Sequence, residues 1–235
     1  MNFDPASRSK LTVHDHGRFA GDVLFARIAR VVCDAGCLPR KELYEAWEVA
    51  RRARRKFRGG RVLDLACGHA LVAHLMLLLD DSSPTALAVD TRLPRSASKL
   101  SQHLVQHWPR LAGRVHLVES SIDEVESNAN DIIVSCHACG ELTDQVLQKA
   151  MRASARVVVL PCCHEKSNVA EGGLGGWLDS ALAIDVTRAT TLRSHGYAVY
   201  TQQIPSAITR KNRLLLAEPA GDSLGPVVRP LKGSA

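Results

Sequence analysis

Between residues 61 and 194 the chain alternates five short apolar runs with four longer amphipathic segments, and this alternation constrains its fold more than any other feature. The runs at 61–67, 85–90, 115–119, 131–136 and 156–162 are rich in Val, Leu and Ile and read as strands. The segments at 70–79, 96–108, 142–153 and 177–194 read as helices by their spacing. Apolar strands separated by helices predict a parallel sheet covered on both faces. Two more strand candidates, 197–203 and 213–217, follow without an intervening helix, and their link at 204–212 suits an antiparallel hairpin closing one sheet edge.

Upstream, 18–35 carries Phe19, Val23, Leu24, Ile28, Val31 and Val32 at helical spacing, and 39–57 repeats the pattern with Leu43, Trp47 and Ala50. Gly59 and Gly60 stop this second helix and lead into the first strand. The expected layout is a flexible arm over 1–16, a helical cap over 17–60, one α/β domain over 61–218 and a disordered tail over 219–235. A length of 235 residues suits one such domain and is short for two.

Lys and Arg outnumber Asp and Glu by 30 to 24, which permits an anionic partner without requiring one. Aromatic residues are only 4%, which argues against extensive base-stacking platforms. The polar first ten residues give no sign of a secretory leader, and the most apolar run, 71–79, contains His74 and is too short to span a bilayer. Seven cysteines, an odd number, fit reduced thiols in a cytoplasmic protein with no membrane attachment.

The first strand runs into Asp64-Leu-Ala66-Cys-Gly68-His-Ala70, and the second stops on Asp90. A small-residue turn after one strand lets a ligand approach the backbone, and a carboxylate closing the next can accept both ribose hydroxyls. The order therefore suits a nucleotide-containing ligand. A turn glycine and a helix-capping aspartate are the plainer readings of Gly68 and Asp90. A nicotinamide cofactor would call for Gly-x-Gly-x-x-Gly here, and the chain lacks that triad.

Asp64-x-Ala66-x-Gly68-x-Ala70 resembles the acidic-x-Gly-x-Gly-x-Gly motif of class I S-adenosylmethionine methyltransferases, with two glycines replaced by alanine. The resemblance implies a Rossmann-like α/β sheet of seven strands, five in alternation with helices plus a terminal hairpin, preceded by N-terminal helices. It implies S-adenosyl-L-methionine as cofactor, held by Asp64, Ala66, Gly68 and Asp90, by Ser121, Ile122 and Asp123 at the adenine, and by Cys136.

Ser135-Cys136-His137-Ala-Cys139-Gly140-Glu-Leu-Thr143-Asp144 and Pro161-Cys162-Cys163-His164 each close a strand, the fourth and the fifth. With Thr209-Arg-Lys-Asn212 they resemble a narrower branch that includes the eukaryotic acceptor-stem tRNA 2′-O-methyltransferase. The similarity covers roughly 60–217 and lacks that enzyme's zinc-finger extensions. It implies His137, then His164, as general base, since a neutral imidazole can take the acceptor's proton. It implies acceptor contacts at Cys139, Asp144 and Cys163.

Other readings of this lip stay open. Cys136 and Cys139 have zinc-like spacing and His164 could join them, although Cys162 and Cys163, adjacent on a strand, point to opposite faces. No metal is assigned. Alternatively the cysteines are small buriable residues and Thr143 caps the next helix.

Arg51, Arg55 and Arg58 share a helical face, with Arg52 and Lys56 beside it, and form the strongest basic patch. A solvated helix end is its plainer reading. Residues 171–176, rich in glycine, read as a mobile lid above the acceptor pocket or as a plain flexible loop. An Asn/Asp-Pro-Pro-Tyr box is absent after the fourth strand, which disfavours an exocyclic base nitrogen as acceptor. The favoured activity is methyl transfer to RNA, plausibly a tRNA hydroxyl. A small-molecule or peptide acceptor is the alternative, and a retired RNA- or protein-binding scaffold is a third reading.

Overall fold

Each apolar run forms a strand, and the strands join into one seven-stranded sheet in the order β3-β2-β1-β4-β5-β7-β6. The computed structural model describes residues 4–136, 138–162, 164 and 171–221. The strands are β1 (Val62–Leu65), β2 (Ala86–Asp90), β3 (Val115–Glu119), β4 (Ile132–Ser135), β5 (Arg156–Val159), β6 (Tyr197–Gln203) and β7 (Arg213–Pro219). The first five are parallel, and β7 runs antiparallel to both β5 and β6. The predicted α/β sheet with a terminal hairpin is therefore the observed one.

The helices are α1 (Leu24–Ala35), α2 (Arg40–Lys56), α3 (Leu71–Leu79), α4 (Arg95–His107), α5 (Glu141–Ala153) and α6 (Ser180–Ser194). Successive strand residues face opposite layers, as the period of two requires. Val62, Ile132 and Leu216 bury against Ile28, Leu43, Leu75 and Leu100 of α1–α4. Leu63, Ile133 and Leu215 bury against Val146 and Leu192 of α5 and α6. The sheet is covered on both faces, and its strand order reverses between β1 and β4. That reversal opens a crevice at the carboxyl ends of the strands, where ligands of such sheets bind.

Three boundaries differ from expectation. The helix expected from 18 begins at Leu24, because Gly21 turns the chain at φ +83° and residues Val13–Arg18 wind into a 3-10 helix. The expected arm is docked at Leu11, which is fully buried and donates its N–H to the Leu38 carbonyl at 3.0 Å. Helix α6 starts at Ser180, where Asp179 caps it by accepting the Leu182 N–H at 3.0 Å. The disorder expected over 219–235 falls mostly on 222–235, outside the described residues.

Candidate active site

Asp64, the last but one residue of β1, is buried and accepts the Ala73 N–H at 3.0 Å, which fastens the first turn of α3 to the strand. Burial, against the pull of that hydrogen bond, pushes its carboxyl well above the usual range. Between strand and helix the chain takes three left-handed turns, at Ala66 (φ +53°), Gly68 (φ +53°) and Ala70 (φ +60°). The two alanines thus keep the backbone that glycine would adopt freely, at a strain of roughly 1–2 kcal/mol each. His74 lies under the loop, its Nδ1 2.7 Å from the Ala70 carbonyl and its Nε2 3.0 Å from Ser101 Oγ. Burial pushes it down to about 4, so it stays neutral and its Nδ1–H donates to that carbonyl.

Asp90 closes β2 and accepts the Gly68 N–H on Oδ2 at 3.0 Å, tying the two expected cofactor positions together. A Cβ built at Gly68 would meet nothing within 4 Å, so the loop opens onto free space beside the Asp90 carboxylate. This is a cradle that a side chain would fill. Such a space beside a carboxylate suits a ligand bearing hydroxyl groups, and Asp64 and Ala66 act as its frame.

Beyond β3, Ser121 N–H and Ser120 Oγ–H both donate to Glu124, fixing the turn that carries the expected adenine contacts. Ile122 is buried there and Asp123 exposed. Cys136 is buried after β4. Burial, then the charges of Glu45 and Asp64, push its thiol well above the ordinary value. Glu45 belongs to α2, so the N-terminal cap contributes an acidic edge to the crevice. Nearby, Glu42 of α2 lies 3.5 Å from His69 in the glycine loop. Sequence spacing gives no signal for either glutamate, because α2 meets the loop only through the tertiary fold.

The lip divides. Cys139 and Cys162 meet, with sulfurs 2.7 Å apart, so the two boxes do converge. Gly140 takes φ +60° and ψ −122°, a region essentially confined to glycine, to start α5. Thr143 is buried and donates to the Ala138 carbonyl at 2.7 Å. Asp144 grips Arg188 of α6 through both carboxylate oxygens, at 2.7 and 3.1 Å. Three residues of the first box therefore build and anchor the β4–α5 turn. The hairpin box does likewise: the Asn212 side chain donates to the Ile204 carbonyl at 2.9 Å. His137 and Cys163 lie outside the described residues.

His164 is buried after β5, with Nε2 2.7 Å from Asp185 Oδ1. Asp185 also receives Arg213 Nε on Oδ2 at 2.7 Å and lies 3.4 Å from Arg188. Burial opposes its ionisation, yet the hydrogen bonds from His164 and Arg213 hold it below the usual carboxylate range. An ionised Asp185 requires a hydrogen on Nε2, which makes Nδ1 the ring nitrogen able to accept when the ring carries a single proton. Asp185, Arg188 and Arg213 are invisible to motif reading, since α6 and β7 carry them far along the chain. Among the described residues no group of three or more His, Cys, Asp or Glu is disposed to hold a metal ion.

The basic patch is largely engaged within the chain. Arg51 and Arg52 both bond Glu48, and Arg52 also reaches Gln202. Arg54 is buried against Asp80, Met76 and Ser83. Lys56 pairs with Glu218, and Arg58, 64% exposed, reaches the Leu79 carbonyl and Asp80. Arg55 is exposed. Within the glycine-rich segment, Gly172 lies so close to α6 that a Cβ there would meet Thr187 Oγ1 at 2.6 Å.

Compared with known proteins, residues 41–170, more than half of the chain, match a family model described as a methyltransferase domain. No curated protein sequence matches the chain. Among solved structures, an O-methyltransferase family protein from Burkholderia thailandensis aligns over 88% of this chain and 63% of its own, at 17% identity and a TM-score of 0.51. The pyocyanin biosynthetic protein PhzM aligns over 90% of this chain and 62% of its own, at 18% identity and a TM-score of 0.50. The chain therefore spans less than two thirds of either neighbour. Among the described residues no helix is long and apolar enough to cross a membrane.

Proposed function

The chain belongs to the methyltransferase-domain family and its methyl donor is S-adenosylmethionine; from that premise we propose that Gly68 and Asp90 hold the donor and that His164 takes the proton of a hydroxyl acceptor. The observation that carries the reading is the open cradle at Gly68, joined to Asp90 at the point where the strand order reverses. Asp90 would meet the ribose hydroxyls with the carboxylate that it already orients on the Gly68 N–H. Ile122 would floor the adenine, with Ser121 and Asp123 at its edge, and Cys136 would border the reacting end.

Bound there, the donor supplies a methyl group on a positively charged sulfur. Because that sulfonium is already reactive, alignment of the acceptor accounts for most of the catalysis. Asp185 keeps His164 in one tautomer, with the Nδ1 lone pair free to accept the acceptor's proton as the methyl moves. His137 is the second candidate base. Cys139 and Cys163 would line the acceptor side of the lip.

For the acceptor, two readings meet. Resemblance to the acceptor-stem tRNA enzyme favours an RNA hydroxyl, with Arg51, Arg55 and Arg58 on its phosphates. The engagement of Arg51 by Glu48 and of Arg58 by Asp80 weakens that support, so a small hydroxyl-bearing molecule is the better-supported acceptor. The test is methyl transfer from labelled S-adenosylmethionine to a tRNA pool and to a panel of phenols and hydroxy acids. Labelled small-molecule product lost in His164→Ala supports the reading. Labelled tRNA, lost when Arg51, Arg55 and Arg58 are reversed to Glu, would replace it with the RNA reading.

A further inference from the structure

Helix α6 carries two stripes of side chains. Ala183, Ile184 and Leu192 bury into the core. Leu182, Asp185, Val186 and Ala189, at positions i, i+3, i+4 and i+7, form a second, half-buried stripe. Opposite it, Thr201 pairs with Leu215 and Gln203 with Arg213 across the β6–β7 hairpin, so these four side chains share one face. Stripe and face do not close on each other. They flank a cleft of about 490 Å³, half open to solvent, with Pro161 at the end of β5, Gln202 and Leu214 also on its walls.

We propose that this cavity is the acceptor pocket, and that it takes a small, mainly apolar molecule bearing one anionic group. The inference rests on the methyltransferase reading and adds the class of acceptor to it. The size lies within the roughly 300–1,000 Å³ of small-molecule sites. Its position is also right: Pro161, Gln203 and Arg213 lie at the sheet end that presents Gly68 and Asp90. Strand β5 is two places from β1, and β7 and β6, which carry most of the sheet-side wall, are three and four, roughly 10, 14 and 19 Å at the usual spacing.

The charge preference follows from how the two ionic groups are committed. Asp185 has one oxygen on His164, with Arg188 3.4 Å away, and the other on Arg213 Nε, so two guanidinium groups face this one carboxylate. Arg213 gives only its Nε to that bond and stays 33% exposed at the rim. The remaining guanidinium donors suit a carboxylate, sulfonate or phenolate, while Leu182, Val186 and Ala189 suit a hydrocarbon body. His164 is buried beside the cavity and is linked to it through Asp185 on the wall.

Two fluorescent probes test this: 1-anilinonaphthalene-8-sulfonate, apolar with one anionic group, and N-phenyl-1-naphthylamine, its neutral counterpart. The intact chain should bind both. Ala189→Phe, which fills the cavity, should weaken both at least about tenfold. Arg213→Gln should weaken the sulfonate about tenfold and leave the neutral probe within about twofold, while Arg213→Lys, which keeps the charge, restores the sulfonate. Probe binding indifferent to Ala189→Phe, or an Arg213→Gln effect equal for both probes, overturns the proposal. Displacement of both probes by a tRNA transcript overturns the small-molecule class. Titration of S-adenosylmethionine on the same proteins keeps the two claims apart. Donor bound with no probe response sinks the pocket alone, and probe bound with no donor affinity sinks the methyltransferase reading.

Discussion

The two ends of the crevice use their sequence motifs differently. At the β1–β2 edge the motif residues frame an opening: Gly68 faces free space, and Asp90 holds the loop with one oxygen. At the β4–β5 lip, Gly140, Thr143 and Asp144 are occupied in building the α5 turn and bolting it to Arg188. The edges are also stabilised by different means. The first relies on a buried neutral imidazole, His74, and a buried carboxyl, Asp64, and the second on a partly buried ion-pair network running from Asp144 through Arg188 to Asp185 and Arg213. Motif residues at the first edge therefore leave space open, whereas those at the second are consumed in loop geometry.

If the lip is held by ions, Arg188→Met should be the most damaging change, because it removes the buried guanidinium that both Asp144 and Asp185 meet. A loss of roughly 3–5 kcal/mol in urea unfolding is expected. A loss below about 1 kcal/mol would erase the contrast between the two edges. The neutral edge should instead respond to acid. His74 titrates near 6.5 unfolded and about 4 folded, so protons bind the unfolded chain preferentially as pH falls. About 3 kcal/mol should vanish between pH 6.5 and 4, and His74→Gln should not show that component. Equal acid sensitivity of the two proteins would remove His74 from the account.

Gly68→Ala sets a methyl group into the open cradle at positive φ. It should lower donor affinity by about tenfold, or 1.4 kcal/mol, while Arg188→Met, tested below its unfolding midpoint, leaves affinity unchanged. The smallest effect should come from Ala66→Gly. Relief of left-handed strain, offset by a looser unfolded chain, should stabilise the protein by roughly 0.5–1 kcal/mol. Destabilisation there would mean that the Ala66 methyl contributes packing that outweighs its strain.

Much of the fold was legible because it rests on local pattern. The strands at 85–90 and 115–119 and the helix at 142–153 are observed within a residue or two. The late start of α1 was hidden by Phe19 and Val23, which keep helical spacing although Gly21 turns the chain between them. The Gly68–Asp90 contact was legible for the same reason: both residues lie at the carboxyl ends of their strands. The surroundings of His164 were not. Asp185, Arg188 and Arg213 draw their meaning from partners up to 44 residues away, and Arg51 and Arg58 look available until Glu48 and Asp80 are seen beside them.

The account turns on the Gly68–Asp90 cradle, and the most direct test is calorimetric titration of S-adenosylmethionine into the intact chain and into Asp90→Ala. Binding in the micromolar range, about −8 kcal/mol, that falls at least about a hundredfold in Asp90→Ala is the predicted result. Equal affinity of the two proteins, or no binding to a folded intact chain, would contradict it.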